Sequence, residues 1–364
     1  MIKQIKTFVI NLIAGANIAT ILLMLLTGYS DRLNPAEHPT LSIIGMAFPL
    51  FLLVNLLFLF LWLVIKWKKA WIPIAGFVAV YVPITLFMPL NIRQDVPEGA
   101  IKLISYNVCT YAGVNNDLFG FDSVFNYLER QKADIVCLQE DVDTWRKYVF
   151  QKYATIYPYN DTTLLHRNST INNCIGIHTR FPIIRKERIW YPSNTNGSVA
   201  YYLNTGKDTL LVINNHLEGN HLSLGERYNY QRLIQGKMER DTAKAESMFL
   251  IGKLAENKAK RAPQAEAIHR YIEEHKQYPT IVCGDFNDTP ISYTRRTISQ
   301  GLTDCFQSTG RGLGLSYNQK GFYIRIDYVF CSPDLQPYNC QIDDKIDASD
   351  HYPVLCYIKM GEKP

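Results

Sequence analysis

The sequence has little excess charge of one sign, and it contains no low-complexity tract or short-period repeat. Its 364 residues include 38 Lys and Arg against 33 Asp and Glu, which gives a formal net charge of +5. That surplus is too small to indicate a nucleic-acid-binding surface by itself. The eight cysteines form neither a C-x-x-C pair nor a zinc-like Cys/His spacing, so nothing in their arrangement predicts a metal-thiolate site.

Buried free thiols are therefore the expected state of the cysteines that lie in or beside predicted strands. These are Cys109, Cys137, Cys283, Cys331 and Cys356. Because an oxidising compartment would permit a disulfide, Cys331 and Cys340 are the pair that we consider for one.

Ionisable residues are also absent from three long apolar stretches near the start of the chain. The stretches cover about residues 8–26, 43–65 and 71–90. Each is near the roughly 20 residues that a helix needs to cross a bilayer, and the lack of charge gives no sign of a transport pathway. We expect a module of three transmembrane helices over residues 1–91. A cleaved signal peptide is the alternative for the first stretch, but two further stretches close behind it favour a retained anchor.

Lysines cluster at those ends of the stretches that would lie on the same side of a membrane. Lys3 and Lys6 precede the first stretch, and a second group, Lys66, Lys68 and Lys69, separates the second from the third. Positively charged flanks stay in the cytoplasm, so three crossings would place everything after Leu90 outside it. In a two-membrane bacterium this predicts a multi-pass inner-membrane protein with a periplasmic domain, joined by a tether at residues 92–100.

Polar residues end a series of apolar runs in the remaining chain. The runs are IKLISYN (residues 101–107), IVCLQE (135–140), LLVINNH (210–216), IVCGDFND (281–288) and IDYVF (326–330), followed by SDHYPV (349–354). Taken alone, each of these polar residues could have a purely structural role, for example in a turn or a helix cap. Six such placements in one domain instead indicate a shared polar cleft, because unpaired Asp, Glu and His are costly on buried elements.

In this order, the motifs SYNV, LQE, NNHLE, GDFND, RIDYVF and SDHYPV resemble the endonuclease/exonuclease/phosphatase superfamily. This superfamily of metal-dependent phosphoesterases includes pancreatic deoxyribonuclease, abasic-site endonucleases, neutral sphingomyelinases and inositol polyphosphate 5-phosphatases. The resemblance covers about residues 101–360. It implies an α/β fold, a two-sheet α/β sandwich of the deoxyribonuclease-I type, preceded here by the transmembrane module.

The resemblance also implies a role for eight residues. Asn107, Glu140 and Asp350 match metal-site positions, and the expected ion is Mg²⁺, with Mn²⁺ as a substitute. Asp285 matches the residue that orients or deprotonates the attacking water, and Asn287 matches the amide that holds the phosphate. His351 matches the histidine that contacts the scissile phosphate, and Asp327 the carboxylate that hydrogen-bonds to it. Whether Asp285 or His351 is the general base stays open.

His216 is the more discriminating position. In its NNHLE context it resembles the branch of the superfamily in which a histidine, rather than the tyrosine of abasic-site enzymes, reaches the phosphate or protonates the leaving oxygen. This argues against abasic-site repair.

Residues 219–263 depart most from a minimal family core. They are rich in charge and in helix-forming residues, so we expect one or two exposed helices inserted after the His216 strand. Since that position borders the cleft, the apolar members of the insertion are candidates for shaping substrate access or touching the bilayer. A solvated helix without a substrate role is the alternative.

Three functions follow from these expectations. The first is a membrane-anchored, Mg²⁺-dependent phosphoesterase acting on an extracytoplasmic phosphoester, with a phospholipid headgroup as a candidate substrate. The second is a nuclease acting on DNA or RNA, which the scattered basic residues do not favour. The third is a catalytically silent membrane scaffold, which nothing supports because every required motif position is filled. The sequence does not define the oligomeric state.

Overall fold

The computed structural model describes residues 1–111, 120–142, 146–166, 173–319 and 321–361. Its helices are α1 (Ile2–Gly28), α2 (Phe48–Lys66), α3 (Trp71–Ala79), α4 (Tyr81–Phe87), α5 (Gly120–Gln131), α6 (Arg146–Tyr153), α7 (Leu224–Ile234), α8 (Arg240–Glu274), α9 (Tyr293–Ile298) and α10 (Cys305–Thr309). Its strands are β1 (Ile101–Asn107), β2 (Ile135–Val142), β3 (Tyr159–Leu164), β4 (Asn173–Thr179), β5 (Ile183–Ile189), β6 (Gly197–Asn204), β7 (Thr209–His216), β8 (Thr280–Asp285), β9 (Thr303–Asp304), β10 (Asp327–Cys331), β11 (Leu335–Ile342) and β12 (Val354–Met360). A 3₁₀ segment, Leu41–Ala47, precedes α2.

Two of the N-terminal helices, α1 and α2, are long and apolar enough to cross a membrane. Only 17% of the residues in the most apolar window of each helix are buried in the protein. Large apolar side chains such as Leu22, Leu53 and Phe60 therefore face outward, which is unfavourable in water and favourable in lipid. This is weak support for membrane anchoring, because length and composition are its basis.

The predicted third span, about residues 71–90, differs from the expectation of one continuous helix. It forms α3 and α4, separated at Val80, whose backbone leaves the helical conformation. Pro83 has no N–H to donate to the carbonyl of Ala79, and the hydroxyl of Tyr29 donates to that carbonyl instead, at 2.7 Å. Among the described residues only two helices thus qualify as candidate spans, and neither half of the third region does so alone.

Polar side chains within α1 and α2 join the two helices. The Asn17 amide donates to Oδ1 of Asn55 at 2.9 Å, and the indole N–H of Trp62 donates to Oδ1 of Asn17 at 3.0 Å. All three side chains are buried. In an apolar environment such bonds stabilise a helix pair, because an unpaired amide would be costly there.

The predicted α/β sandwich is confirmed. One six-stranded sheet has the order β11-β12-β1-β2-β4-β3, and the other has the order β5-β6-β7-β8-β10-β9. The central strands are buried along nearly their whole length, as their continuous apolar runs predict. A shared core that includes Leu103, Ile177, Val212 and Val329 lies between the sheets, and helices cover the outer faces.

All eight cysteines lie within the described residues, and all are free thiols. Seven of them are buried, which confirms the expectation for Cys137, Cys283, Cys331 and Cys356. Cys109, which was expected to be buried too, is only half-buried. The Cys331–Cys340 disulfide that we considered is not formed.

The helical insertion predicted at residues 219–263 is present as α7 and most of α8. Helix α8 continues beyond this segment, through Pro263 to Glu274. The segment after Leu90, predicted as a tether, lies along the α/β domain. Asn91 donates to the carbonyl of Gly310, and Gln94 and Asn339 exchange two hydrogen bonds.

Candidate active site

Strand ends from both sheets meet at one cleft of about 300 Å³. In the first sheet β1 runs parallel to β2, so that Asn107 lies opposite Gln139, next to Glu140. In the second sheet β7 runs parallel to β8, and His216 lies opposite Asp285. Parallel neighbours deliver the residues at their carboxyl ends to the same edge, which explains why residues far apart in sequence converge here.

Glu140 owes its position to a β-bulge. The pairing of β2 with β4 shifts register between Gln139 and Asp141, and Glu140 itself has a φ of 53°. A bulge inserts one residue that opposes no partner and redirects its side chain. The alternation along β2 is thereby broken, and the Glu140 carboxylate lines the cleft.

The GDFND motif turns sharply for a steric reason. Gly284 has a φ of 130°, and a Cβ atom there would lie 2.0 Å from the backbone oxygen of Asn215. Asn287 also has a positive φ, 52°, which asparagine tolerates better than most residues. Its backbone N–H donates to Oδ1 of Asp285 at 2.8 Å. The backbone of the turn therefore holds the Asp285 carboxylate in place, and the side chain of Asn287 lines the cleft.

Carboxylates of Glu140 and Asp285 converge on the amide of Asn107. Its Nδ2 lies 3.2 Å from Oε1 of Glu140 and 3.1 Å from Oδ2 of Asp285. Burial, with the charge of Asp350 adding to it, raises the pKa of Glu140. This part of the cleft thus carries an excess of negative charge that a cation would offset.

His351 lies between two further carboxylates. Its Nδ1 donates to Oδ2 of Asp327 at 2.9 Å, and its Nε2 lies 3.7 Å from Oδ2 of Asp285. Burial alone would lower the pKa of His351, but the charges of Asp327 and Asp285 raise it well above the usual value. Burial raises the pKa of Asp285 to about 7, an effect that His351 opposes and Asp327 reinforces. The two groups therefore titrate as an interacting pair rather than independently.

Two serines hold the loops that carry this pair. The hydroxyl of Ser316 accepts the backbone N–H groups of Ile326 and Asp327 at 3.0 and 3.1 Å. The hydroxyl of Ser349 donates to the backbone oxygen of Asn107 at 2.7 Å. The Ser349 bond ties the SDH motif to the end of β1, and the Ser316 bonds hold the backbone of the RID motif in place.

His216 is held as a neutral ring with a defined tautomer. The Asn173 amide group donates to the carbonyl of Thr195 and lies 3.0 Å from Nδ1 of His216, so Nδ1 accepts and the proton sits on Nε2. Burial, assisted by His351 and His221, lowers the pKa of His216 to about 3. Its Nε2 lies 3.6 Å from Oε1 of Glu140 and 3.8 Å from Oδ2 of Asp285. The ring therefore presents an N–H donor to the cleft.

All eight residues predicted from the sequence are brought together. Glu140, His216, Asp285, Asn287, Asp350 and His351 line the cleft. Asn107 and Asp327 lie directly behind this lining and are bonded to it. The eight residues therefore belong to one site, and their individual roles stay predictions.

Other residues of the site were not predicted from the sequence. Asn173, Ser316 and Ser349 act only through the groups that they orient, and Asn173 and Ser316 belong to none of the motifs. Arg227, on the first turn of α7, lines the cleft and brings a guanidinium to it. The high charge of the insertion signalled that basic residues were present but not that this one faces inward.

The insertion borders the cleft as expected. Leu222 lines it, and Tyr230 stacks on Phe322, another lining residue, with ring centroids 4.5 Å apart. Ser223 and Glu226 form a capping box at the start of α7, and Lys253 of α8 pairs with Glu226 at 2.7 Å. Helix α7 is therefore anchored as one wall of the cleft.

Two groups of oxygen and nitrogen donors suit a divalent cation. Single ligand atoms of Asp285, Asp327 and His351 lie within 4.8 Å of one another. The second group is Glu140 with Asn107 and Asp350, the set predicted from the sequence. Carboxylate oxygens are ligands that Mg²⁺ prefers, so Glu140 and Asp350 fit a hard divalent ion. Asn107 would join them with its amide turned over, because its Nδ2 faces the carboxylates while its Oδ1 accepts from the backbone N–H of Cys109.

The comparisons with known proteins agree with this geometry. Residues 104–351 match the model of the Endonuclease/Exonuclease/phosphatase family, and residues 10–87 match a domain of unknown function, DUF8431. No curated protein matches the chain in sequence.

Solved structures are similar in fold. TDP2 of D. rerio, humanized by 14 mutations, is 17% identical with a TM-score of 0.51, covering 72% of this chain and 99% of that one. An endonuclease/exonuclease/phosphatase from Beutenbergia cavernae is 15% identical with a TM-score of 0.51, covering 73% and 72%. A family protein from Bacteroides thetaiotaomicron is 16% identical with a TM-score of 0.50, covering 74% and 100%. At these identities the likeness shows the fold alone.

Proposed function

Because the chain belongs to the endonuclease/exonuclease/phosphatase family, whose members are metal-dependent phosphoester hydrolases, we propose that it hydrolyses a phosphoester presented at a membrane surface. The observation that carries the proposal is the convergence of Glu140, Asp285 and His351, through their hydrogen-bond partners, in one cleft. A binding scaffold would not need a buried carboxylate and a buried histidine in contact, each with a raised pKa, at the base of an open cleft.

Glu140, Asn107 and Asp350 are the residues that would hold the ion. The Glu140 side chain is 32% exposed and faces the open cleft, whereas the side chain of Asp327, in the other donor group, is 2% exposed and bonded to His351. We assign Asp327 to orienting the ring for this reason. When bound, a divalent ion such as Mg²⁺ neutralises the non-bridging oxygens of the phosphate, and Mn²⁺ has the same ligand preference.

The chain's own residues supply the remaining chemistry. Asp285 and His351 are the two candidates for the base that takes a proton from the attacking water. The N–H of His216 and the amide of Asn287 donate to the phosphate oxygens, where negative charge increases as phosphorus is attacked. We propose direct in-line attack by water, without a covalent enzyme intermediate.

The direction of the helices supports a membrane location. The carboxyl end of α1 and the amino end of α2 form an apolar cluster with Ile291 of the catalytic domain. The opposite ends of both helices cluster around Trp62 and Ala70, near the lysines at positions 66, 68 and 69. The catalytic domain and the lysines thus lie at opposite ends of the helices. With lysines in the cytoplasm, we infer three crossings, the third by α3 and α4 together, and an extracytoplasmic catalytic domain in the inner membrane.

A phospholipid headgroup is the substrate class that this arrangement favours, and nucleic acid is the alternative. The densest basic group in the sequence, at positions 253–261, does not form a free track for a nucleic-acid backbone. Lys253 pairs with Glu226, Lys260 with Glu256, and the buried Lys258 and Arg261 both pair with Asp288. A nuclease would need several unpaired cations along the path of the strand.

A substrate panel tests the proposal. The full-length protein in lipid nanodiscs would be incubated with Mg²⁺ or Mn²⁺ and with glycerophospholipids, sphingomyelin-type lipids, inositol phosphates, plasmid DNA, RNA and a bis-aryl phosphate. We expect lipid hydrolysis that is lost in Asp285→Ala and retained in Asp304→Asn, a buried carboxylate outside the cleft. DNA cleavage faster than that of every lipid, and lost in Asp285→Ala, would reverse the order of the two candidates.

A further inference from the structure

A second cavity, of about 350 Å³, lies between the N-terminal helices and the catalytic domain. We name it the interface cavity. The helical side contributes Met46 of the 3₁₀ segment, Pro49 of α2 and Phe87 of α4. The catalytic domain contributes Leu313, Leu315 and Ile324, among other residues. The lining is largely apolar, and its volume is in the range that holds small ligands, about 300–1,000 Å³.

The interface cavity and the catalytic cleft share a wall. Along one extended segment, Phe322 and Ile326 line the cleft, Tyr323 and Arg325 line the interface cavity, and Ile324 lines both. The alternation is that of an extended chain, whose successive side chains point to opposite sides. A single layer of chain therefore separates the two spaces, and Asp327 follows this layer directly.

The position of the interface cavity relates it to the apolar helices. Pro49 lies at the amino end of α2, and exposed leucines at positions 50, 53 and 57 follow it along that helix. Phe87 ends α4 at the same side of the molecule. If these helices cross the bilayer, the cavity lies where the catalytic domain meets the lipid surface.

One polar group in the lining lacks an acceptor. Arg325 is 2% exposed, and its two terminal nitrogens donate to the backbone oxygens of Leu86 and Leu313. Its Nε has no hydrogen-bond partner among the residues that the structure describes. This nitrogen is itself inaccessible, and the guanidinium lies over the Phe306 ring, 4.4 Å from its centroid, so Arg325 fixes the wall of the cavity rather than offering a bond to a ligand.

From the apolar lining, the shared wall and the position beside the apolar helices, we propose that the interface cavity binds the hydrocarbon chain of a lipid that passes around the edge of the shared wall, so that its phosphate lies in the catalytic cleft. This inference rests on the proposed function, and it specifies the substrate as an amphiphile with an alkyl or acyl chain. A free phosphate ester would occupy the cleft but leave the interface cavity unused. Binding should then strengthen by about fourfold for each added methylene group until the cavity is full.

The test measures binding and turnover separately, with the full-length protein in nanodiscs. To measure binding, the Kd values of methyl-, butyl- and octylphosphonate are determined for the wild type and for Leu313→Trp. These three phosphonates are not hydrolysed. Leu313 is 39% exposed and lies outside the catalytic cleft, so a larger side chain can fill the interface cavity without a change in the acid–base pair. Turnover is the hydrolysis of the corresponding alkyl nitrophenyl phosphodiesters with Mg²⁺.

We expect Kd to fall with chain length in the wild type and to depend much less on chain length in Leu313→Trp, while both proteins bind methylphosphonate equally. Partition of the longer chains into the nanodisc is common to both proteins and cancels in the comparison. A Kd that depends equally on chain length in both proteins would overturn the inference, even if the methyl ester is hydrolysed. Chain-length-dependent binding without turnover of any ester would instead refute the proposed function and leave the interface cavity as a lipid site.

Discussion

The carboxylate of Asp327 lies 2.9 Å from Nδ1 of His351, and Nε2 of the same ring lies 3.7 Å from Asp285. Because a carboxylate can only accept, this contact places a proton on Nδ1 and turns Nε2 toward the cleft. We predict that Asp327→Asn lowers kcat by at least about 100-fold, since the amide can present a donor to Nδ1 and favour the other tautomer. Steady-state kinetics on the best substrate of the panel measures this loss.

Asp304→Asn is the matched control for that prediction. Asp304 is a buried carboxylate on the neighbouring strand, β9, and it accepts from Arg295 and Gln307 rather than from a cleft residue. Any loss of folding caused by a buried Asp→Asn change would show in both variants. Equal kcat values for Asp327→Asn and the wild type would remove Asp327 from the mechanism.

Glu140 should determine how tightly the divalent ion binds. We predict that Glu140→Gln raises the Mg²⁺ concentration for half-maximal activity by about 10- to 100-fold, because the neutral amide removes one charge from the acidic part of the cleft. High Mg²⁺ should restore part of the activity. Titration of activity against free Mg²⁺, with the exposed Glu129→Gln as control, checks the shift, and an unchanged midpoint would move the ion to the Asp285, Asp327 and His351 group.

The sequence predicts the sandwich and the eight site residues because its ordered motifs resemble one family. In the structure four motifs lie at the carboxyl ends of β1, β2, β7 and β8, whereas RIDYVF and SDHYPV place their polar residues at or before the starts of β10 and β12. The sequence does not predict the bulge at Glu140, since a register shift depends on which strand pairs with β2. It does not predict that α3 and α4 are separate either. A proline is visible in the sequence, but the contact that satisfies the freed carbonyl of Ala79 comes from Tyr29, 50 residues away.

Residues that support the site are the hardest to predict. Asn173 orients His216 from a strand of the other sheet, and Arg227 reaches the cleft only because α7 is anchored by Glu226 and Lys253. Neither lies in a motif, and each acquires its role from tertiary contacts.

Arg227 is the one cleft residue whose fixed positive charge is suited to a phosphate group, among the lining residues that the structure describes. We predict that Arg227→Gln raises KM for phosphoester substrates by about 10-fold with a smaller change in kcat, because it removes a charge-assisted bond formed on binding. Arg232→Gln is the control. Arg232 lies on the same helix, but it donates to the backbone of Lys237 instead of lining the cleft. Equal KM values for the two variants would show that α7 only closes the wall.

His178 should make the catalytic domain sensitive to acid. The ring is fully buried, stacks on Tyr153 with centroids 3.9 Å apart, and pairs through Nδ1 with Asn160. Burial lowers the pKa of His178 to about 3, from 6.5 in an unfolded chain. Between these two values the unfolded state binds a proton that the folded state does not, so stability falls as the pH decreases through this window. The loss is about 1.4 kcal/mol for each pH unit while the difference is one proton.

We predict that His178→Phe, which keeps an aromatic ring against Tyr153, reduces the acid sensitivity by about one proton between pH 6 and 4. The variant loses the contact with Asn160 and is less stable at pH 8, but that loss does not change with pH. Free energies of unfolding from urea titrations at several pH values measure both effects. His38→Asn, a change at an exposed histidine, should leave the pH dependence as in the wild type. Parallel pH profiles for His178→Phe and the wild type would mean that His178 takes up a proton in the folded protein, and that its burial does not hold it neutral.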